Sequence, residues 1–303
     1  MMNSATPNRT LIILALALPF VAALFFFIWD TRPLPVKQKP LPVPNGYDQF
    51  LAAGKMLEPT TTDYEKIDEA ELSALVTTNA QALAKLRAGL SNECRVPVNY
   101  NGTWPSTHIQ DLIAFRTLAQ NLAAAGRLAE LQNSPGEAIR DYLDEIRFGN
   151  EAGRGGLLVD VMMGVAIEGH GQTALEKLTS VTDAAQCRQT AAELEQLDAQ
   201  HQSWADVMET EHAWQHGRIP SLKTYFTVMF FMRKQIAENF ANAEKTFKER
   251  QQKKRRLMLQ FAAHAYELEK GRPPASAAAL VPDYLKAVPQ DPFGGTNMVY
   301  PPR

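Results

Sequence analysis

The feature that most restricts what this chain can fold into is an apolar run near its start. Residues 11–29 read LIILALALPFVAALFFFIW, 19 residues with no charge and one interior proline. At about 1.5 Å per residue, a helix of that length nearly crosses a hydrocarbon core about 30 Å thick. Trp29 stands where an interfacial aromatic anchors a span, and Arg9 and Asp30 bound the run. Uniform apolarity at the extreme N-terminus counts against the alternative of a helix buried in a core. A cleaved signal peptide needs small residues at alternate positions after its apolar stretch. Here the run closes on Phe-Phe-Phe-Ile-Trp-Asp-Thr-Arg-Pro, which offers no such site. The expectation is an uncleaved signal-anchor: a single-pass transmembrane helix whose partner over residues 11–29 is the lipid bilayer.

Orientation is set less firmly. Arg9 and the terminal amine precede the span, and Arg32, Lys37 and Lys39 follow it. This count leans slightly towards a cytoplasmic body, but large domains translocate largely regardless of flanking charge. The expectation adopted is an extracytoplasmic body.

Proline placement divides the rest. Five of the 19 prolines fall in residues 33–44, a composition that favours an extended, semi-rigid spacer. Prolines then thin out until residue 272, and seven more crowd into residues 273–302. The expected domains are an N-terminal tail (1–10), the anchor (11–29), a proline-rich linker (30–46), a helical domain (47–270) and an irregular tail (271–303). Helical spacing of Ile109, Leu112, Phe115, Leu118 and Leu122, and the start signals Ser134-Pro135-Gly136-Glu137 and Asp183-Ala184-Ala185-Gln186, make the body all-α. Helices are predicted over 47–57, 64–90, 107–132, 135–150, 156–178, 184–216, 221–250 and 254–270.

The chemistry-bearing residues are sparse. A net charge of −2 gives no reason to expect nucleic acid, and two cysteines exclude a four-thiolate metal site. Seven glycines lie in residues 149–171, but no strand or Lys-Ser/Thr pair accompanies them. They read as a helix–helix turn followed by a helix that packs closely, not as a phosphate loop. Asp160 and Glu168 on that helix are either paired with arginines, turned to water, or an acid–base couple. His201, Trp204, Met208, His212 and His216 share one helical face. His212 and His216 are spaced to hold one metal, with Glu211 beside them, but the zinc-protease order is not kept and no third ligand follows from spacing. An apolar stripe with hydrogen-bonded histidines is the simpler account, so no metal and no cofactor are assigned. The basic run 245–256 reads as a solvated helix end, with anionic lipid as its alternative contact. Tyr225–Met232 is an apolar run too short to span a bilayer, either buried or an exposed contact patch. No nucleophile elbow occurs, and Cys94 and Cys187 have no adjacent histidine. In an oxidising compartment these two cysteines are candidates for one disulfide, with two unpaired buried thiols as the alternative.

The tail carries a resemblance. Gly271, Pro273, Leu280, Tyr284, Leu285, Pro289, Asp291, Pro292, Phe293, Gly294 and Tyr300 follow the pattern of the C-terminal part of type II secretion major pseudopilins. The start of the chain departs from that family: Asn8-Arg9-Thr10-Leu11-Ile12 lacks the Phe-Thr-Leu-Ile-Glu motif, so pilus assembly and the pseudopilin calcium site are not carried over. From Asn45-Gly46-Tyr47, through Ala138–Leu143 and Gly156-Leu157-Leu158, to the tail, the layout is similar to membrane-anchored helical proteins of planctomycete-type bacteria. No activity comes with that likeness. The tail is expected to dock on the 254–270 helix through Phe261, His264 and Leu268, with Phe293 as its main anchor. The leading functional expectation is a non-enzymatic envelope scaffold or binding protein with an unidentified protein partner. The alternatives are a metal-dependent hydrolase using the histidine pair and an accessory of a secretion or pilus-like system.

Overall fold

A computed structural model describes residues 23–29, 39–58, 63–100, 106–216 and 222–300. Residues 11–22 of the apolar run and 30–38 of the linker lie outside the described residues. Among the described residues no helix is long and apolar enough to cross a membrane.

Among these residues the architecture is all-α, with a single antiparallel bridge between Gln290 and Asn297 in place of any strand. The helices are α1 (23–29), α2 (Gly46–Lys55), α3 (Glu69–Thr78), α4 (Ala80–Leu90), α5 (Ser106–Leu131), α6 (Pro135–Ala152), α7 (Leu158–Leu178), α8 (Ala184–Ala199), α9 (Trp204–His216), α10 (Leu222–Thr227) and α11 (Arg233–Lys270). Four predicted helices differ in outline. The 64–90 helix is two, parted at Asn79, whose side chain accepts from Glu58 N at 3.0 Å. The 184–216 helix is interrupted by His201–Ser203. The predicted break between 250 and 254 is absent, and α11 runs unbroken to Gly271, which ends it at a φ of 67°. A left-handed cap of this kind suits glycine because it carries no Cβ.

The start signals act in different ways. Asp183 caps α8 as expected, its carboxylate accepting from Gln186 N at 2.8 Å. Ser134 makes no side-chain cap bond, and Pro135 opens α6 through its fixed φ alone. The start of α7 is held by Asp160, which accepts from Leu157 N at 2.9 Å.

Helix α6 lies between two cores. Phe148 and Ala152 join Tyr47, Phe50 and Phe115 in one, where the rings of Phe50 and Phe148 meet edge-on at 5.0 Å. Ile139, Tyr142, Leu143 and Ile146 join α8, α11 and the tail in the other. The α6–α7 pair is the most extensive, and glycine makes it possible. A Cβ at Gly149 or at Gly164 would collide with the other's carbonyl oxygen. The glycine-rich stretch is thus a close helix crossing, as its composition suggests.

The tail docks, but through other residues than Phe293. Leu280, Tyr284 and Leu285 are buried with Phe261 against α8 and α11. His264 is half-buried, and Leu268 faces water. Phe293 is 49% exposed because it sits in a reversing turn. There Asp291 N donates to Thr296 O at 2.7 Å and Gly295 N to Asp291 O at 2.8 Å, which turns the aromatic outwards. Arg188 adds a clamp: it pairs with Glu269 at 2.6 Å, donates to Asp283 O at 2.7 Å and stacks 4.0 Å from the Tyr284 ring.

Cys94 and Cys187 do not pair. Both are free and buried, Cys94 in the first core and Cys187 in the second. Burial pushes their thiols up to about 12 and about 11, so neither is a thiolate at neutral pH.

The tail contacts set an ordering of mutant stabilities. Leu285→Ala removes a buried side chain and is expected to cost about 2–5 kcal/mol. Phe293→Ala is expected to change stability by about 0.5 kcal/mol at most, as for other surface positions. Urea unfolding of the two variants beside wild type checks this.

Candidate functional site

The loop after α4 and the linker between α8 and α9 face each other across the end of α6. A cleft of about 1440 Å³ opens between them, lined by Arg95, Tyr100, Arg147, Arg154, His201 and His212 among others. Its walls are tied down by hydrogen bonds, most of them between side chains and backbone. Asn45 accepts from Arg95 N at 3.0 Å and donates to Arg95 O at 2.8 Å, while Val96 N donates to Arg154 O at 3.0 Å. On the opposite wall Arg154 grips Glu151 with two N–H groups and Gln200 O at 2.8 Å, and Gly155 N donates to Gln202 Oε1 at 2.9 Å. The turn at Arg154–Gly155 therefore anchors both rims.

Behind the cleft lies a charged core. His201 Nδ1 is 2.9 Å from Gln202 O; a carbonyl only accepts, so this nitrogen carries a proton. His201 Nε2 lies 3.5 Å from Glu168 Oε1, and Lys254 Nζ lies 3.4 Å from Glu168 Oε2. Side-chain exposure is 2% for Glu168 and 0% for Lys254. Burial alone would raise the Glu168 pKa; Lys254 and then His201 overcome it and hold it at about 2. Phe247 covers this group, its ring 4.8 Å from His201 and 5.5 Å from Trp204.

The basic run on α11 meets solvent at Lys245 but is built into this core at Lys254. Lys254 pairs with Glu168, Arg255 with Asp198 at 2.8 Å, and Lys253 with Glu176 at 3.3 Å. The Arg250 guanidinium lies where a Cβ on Gly169 would stand. The predicted arginine partners of Asp160 and Glu168 are thus a histidine and a lysine. Asp160 Oδ1 meets His108 Nε2 at 2.6 Å while its other oxygen caps α7. Eight helical steps, about 12 Å, separate the two carboxylates along α7, so they share no proton.

Two of the three candidate metal ligands, His212 and Glu211, are engaged in different places. His212 is exposed and lines the cleft. Glu211 turns away and accepts from Leu158 N at 2.9 Å and from Gln215 Nε2 at 3.1 Å. The side chain of His216 lies outside those described. Among the described residues no group of three His, Cys, Asp or Glu is placed to hold a metal ion.

One arrangement gave no signal in the sequence. The Tyr64 hydroxyl and His170 Nε2 are 2.6 Å apart, and His170 Nδ1 is 2.9 Å from Glu145 Oε1. The order carboxylate–imidazole–hydroxyl resembles a nucleophilic triad. The electrostatics oppose that use, because burial and then the Glu145 charge push the Tyr64 hydroxyl far above its ordinary range. The chain instead fastens the segment before α3 onto α6 and α7. Its residues, 64, 145 and 170, are too far apart in sequence for any spacing to link them.

This relay sets a pH dependence. The hydrogen bond to Glu145 raises the His170 pKa above its unfolded value, and burial raises that of Glu145. Groups with raised folded values contribute stability at low pH that is lost as pH rises. For His170 the contribution is full below about pH 6.5 and falls through its raised folded value. The stability advantage of wild type over His170→Gln is therefore expected to shrink as pH rises from about 6 to 8, measured by thermal unfolding.

No family model, no curated protein and no solved structure matches the chain.

Proposed function

We propose that the protein is a membrane-anchored scaffold or binding protein of the cell envelope. The apolar run 11–29 holds it to the bilayer, and the body lies outside the cytoplasm, where the cleft receives a polar segment of a partner protein. The observation that carries this reading is the cleft itself. Its rims are fixed by hydrogen bonds between side chains and backbone, and its polar groups are already oriented before a ligand arrives. Arg147, whose acidic neighbour Glu193 is 3.9 Å away, keeps its capacity to bind a partner carboxylate. Two carboxylates at or behind its wall, by contrast, are committed. Glu151 is held by Arg154, and Glu168 is shut behind His201.

The hydrolase alternative has Glu211 against it, since that carboxylate holds the start of α7. A role as accessory of a secretion system rests on the tail resemblance alone.

A C-terminal fusion to alkaline phosphatase or to a fluorescent protein tests the reading, together with alkaline carbonate washing of membranes. The expected result is an active phosphatase, a dark fluorescent fusion and retention in the washed membrane. A fluorescent fusion that washes off contradicts it.

A further inference from the structure

Helix α11 is longer than the body it serves. Its buried residues begin at Phe247, so the stretch from Arg233 to Thr246, about 21 Å of helix, projects as an arm. The end of that arm is apolar. A single π-helical turn, Val228–Met232, joins α10 to α11 and presents Phe230 at 69% and Phe231 at 84% exposure. The ring of Phe226 stacks on Phe230 at 6.0 Å. Against this tip lies α1, the last part of the apolar run: Phe27 is buried and meets the Tyr225 ring edge-on at 5.2 Å. The remaining large side chains of α1, Leu24, Phe25, Phe26, Ile28 and Trp29, are exposed beside it. Two segments 198 residues apart in sequence, counted from Phe27 to Tyr225, thus share one aromatic surface.

We infer that the arm tip, Tyr225–Met232, is a second membrane-contacting element that inserts into the bilayer interface beside the N-terminal anchor. The inference rests on the proposed anchoring of residues 11–29. Three observations select lipid as the occupant. The patch is continuous with an apolar run long enough to enter hydrocarbon. Its exposed residues are aromatic and aliphatic apart from Thr227, with no charge among them. The next two residues, Arg233 and Lys234, are cations placed where headgroups would lie, as at the edge of interfacial helices. The arm then holds the cleft away from the membrane surface.

The test uses the full chain reconstituted in phosphatidylcholine–phosphatidylglycerol vesicles. An environment-sensitive fluorophore is placed at F231C, F26C or E238C in separate preparations; the buried native thiols serve as an unlabelled background. Lipids carrying doxyl groups high on the acyl chain are the quenchers. The inference predicts that labels at 231 and 26 shift to the blue and lose most of their emission, while the label at 238 does neither. Quenching at 26 without quenching at 231 overturns the inference and leaves the anchor standing. A label at 231 that is shielded from water yet unquenched means that a second copy or another protein covers the tip, and overturns it as well. Absence of quenching at both positions overturns the inference and the anchoring together.

Discussion

Glu168 carries its charge inside the helical body, and the arrangement around it follows from that charge. Removing a carboxylate from water costs several kcal/mol, which only close cations and good hydrogen bonds can offset. Lys254 supplies a cation and His201 a ring nitrogen 3.5 Å away, and each belongs to a different element. The ion pair therefore locks α11 and the α8–α9 linker onto α7 in one register. The glycine crossing is part of the same construction. A Cβ on Gly149 would meet Glu168 Cγ at 2.8 Å, so α6 reaches this region only where it has no side chain. The floor of the cleft, His201, is thereby a structural group, with the Gln202 carbonyl at one nitrogen and the Glu168 carboxylate facing the other.

This has consequences for what the cleft can do. A histidine held between a carbonyl and an ionised carboxylate has no free nitrogen with which to move a substrate proton. The acid nearest it in the site is spent on Lys254, and the carboxylate–imidazole–hydroxyl relay at Tyr64 ends in a tyrosine made harder to ionise. What the cleft retains is fixed walls, guanidinium groups, the exposed His212 and the carboxylates of Glu93, Asp206 and Glu209. The projecting start of α11 adds a spacing element between such a cleft and whatever its apolar tip touches.

The helical class and much of the body were legible from periodicity and caps, because both depend on neighbours in the chain. Asp183 capping α8 and the close packing of Gly149 and Gly164 are of that kind. Lys254 was not read, although it stands seven residues from both Phe247 and Phe261 on the buried stripe of α11. A lysine on an apolar stripe is a signal for a buried ion pair; within a run of other cations it passed for solvated charge. Phe293 was misplaced for a different reason. Its size argued for burial, but the turn formed by Asp291 and Gly295 sets its direction. The cleft could not be foreseen, since its walls come from residues 91–100, 147–155 and 196–213, which only tertiary packing brings together.

The most direct measurement is a double-mutant cycle on the buried pair, read by equilibrium unfolding at neutral pH. Lys254→Met leaves an ionised carboxylate with only His201 and Gln172 beside it, and Glu168→Gln leaves a buried ammonium with no opposite charge. Each single change is expected to cost about 3–5 kcal/mol, and the double variant to recover most of that loss through a coupling of about 2 kcal/mol or more. Single variants within about 0.5 kcal/mol of wild type, or additive losses in the double, would contradict an ionised pair holding the body together.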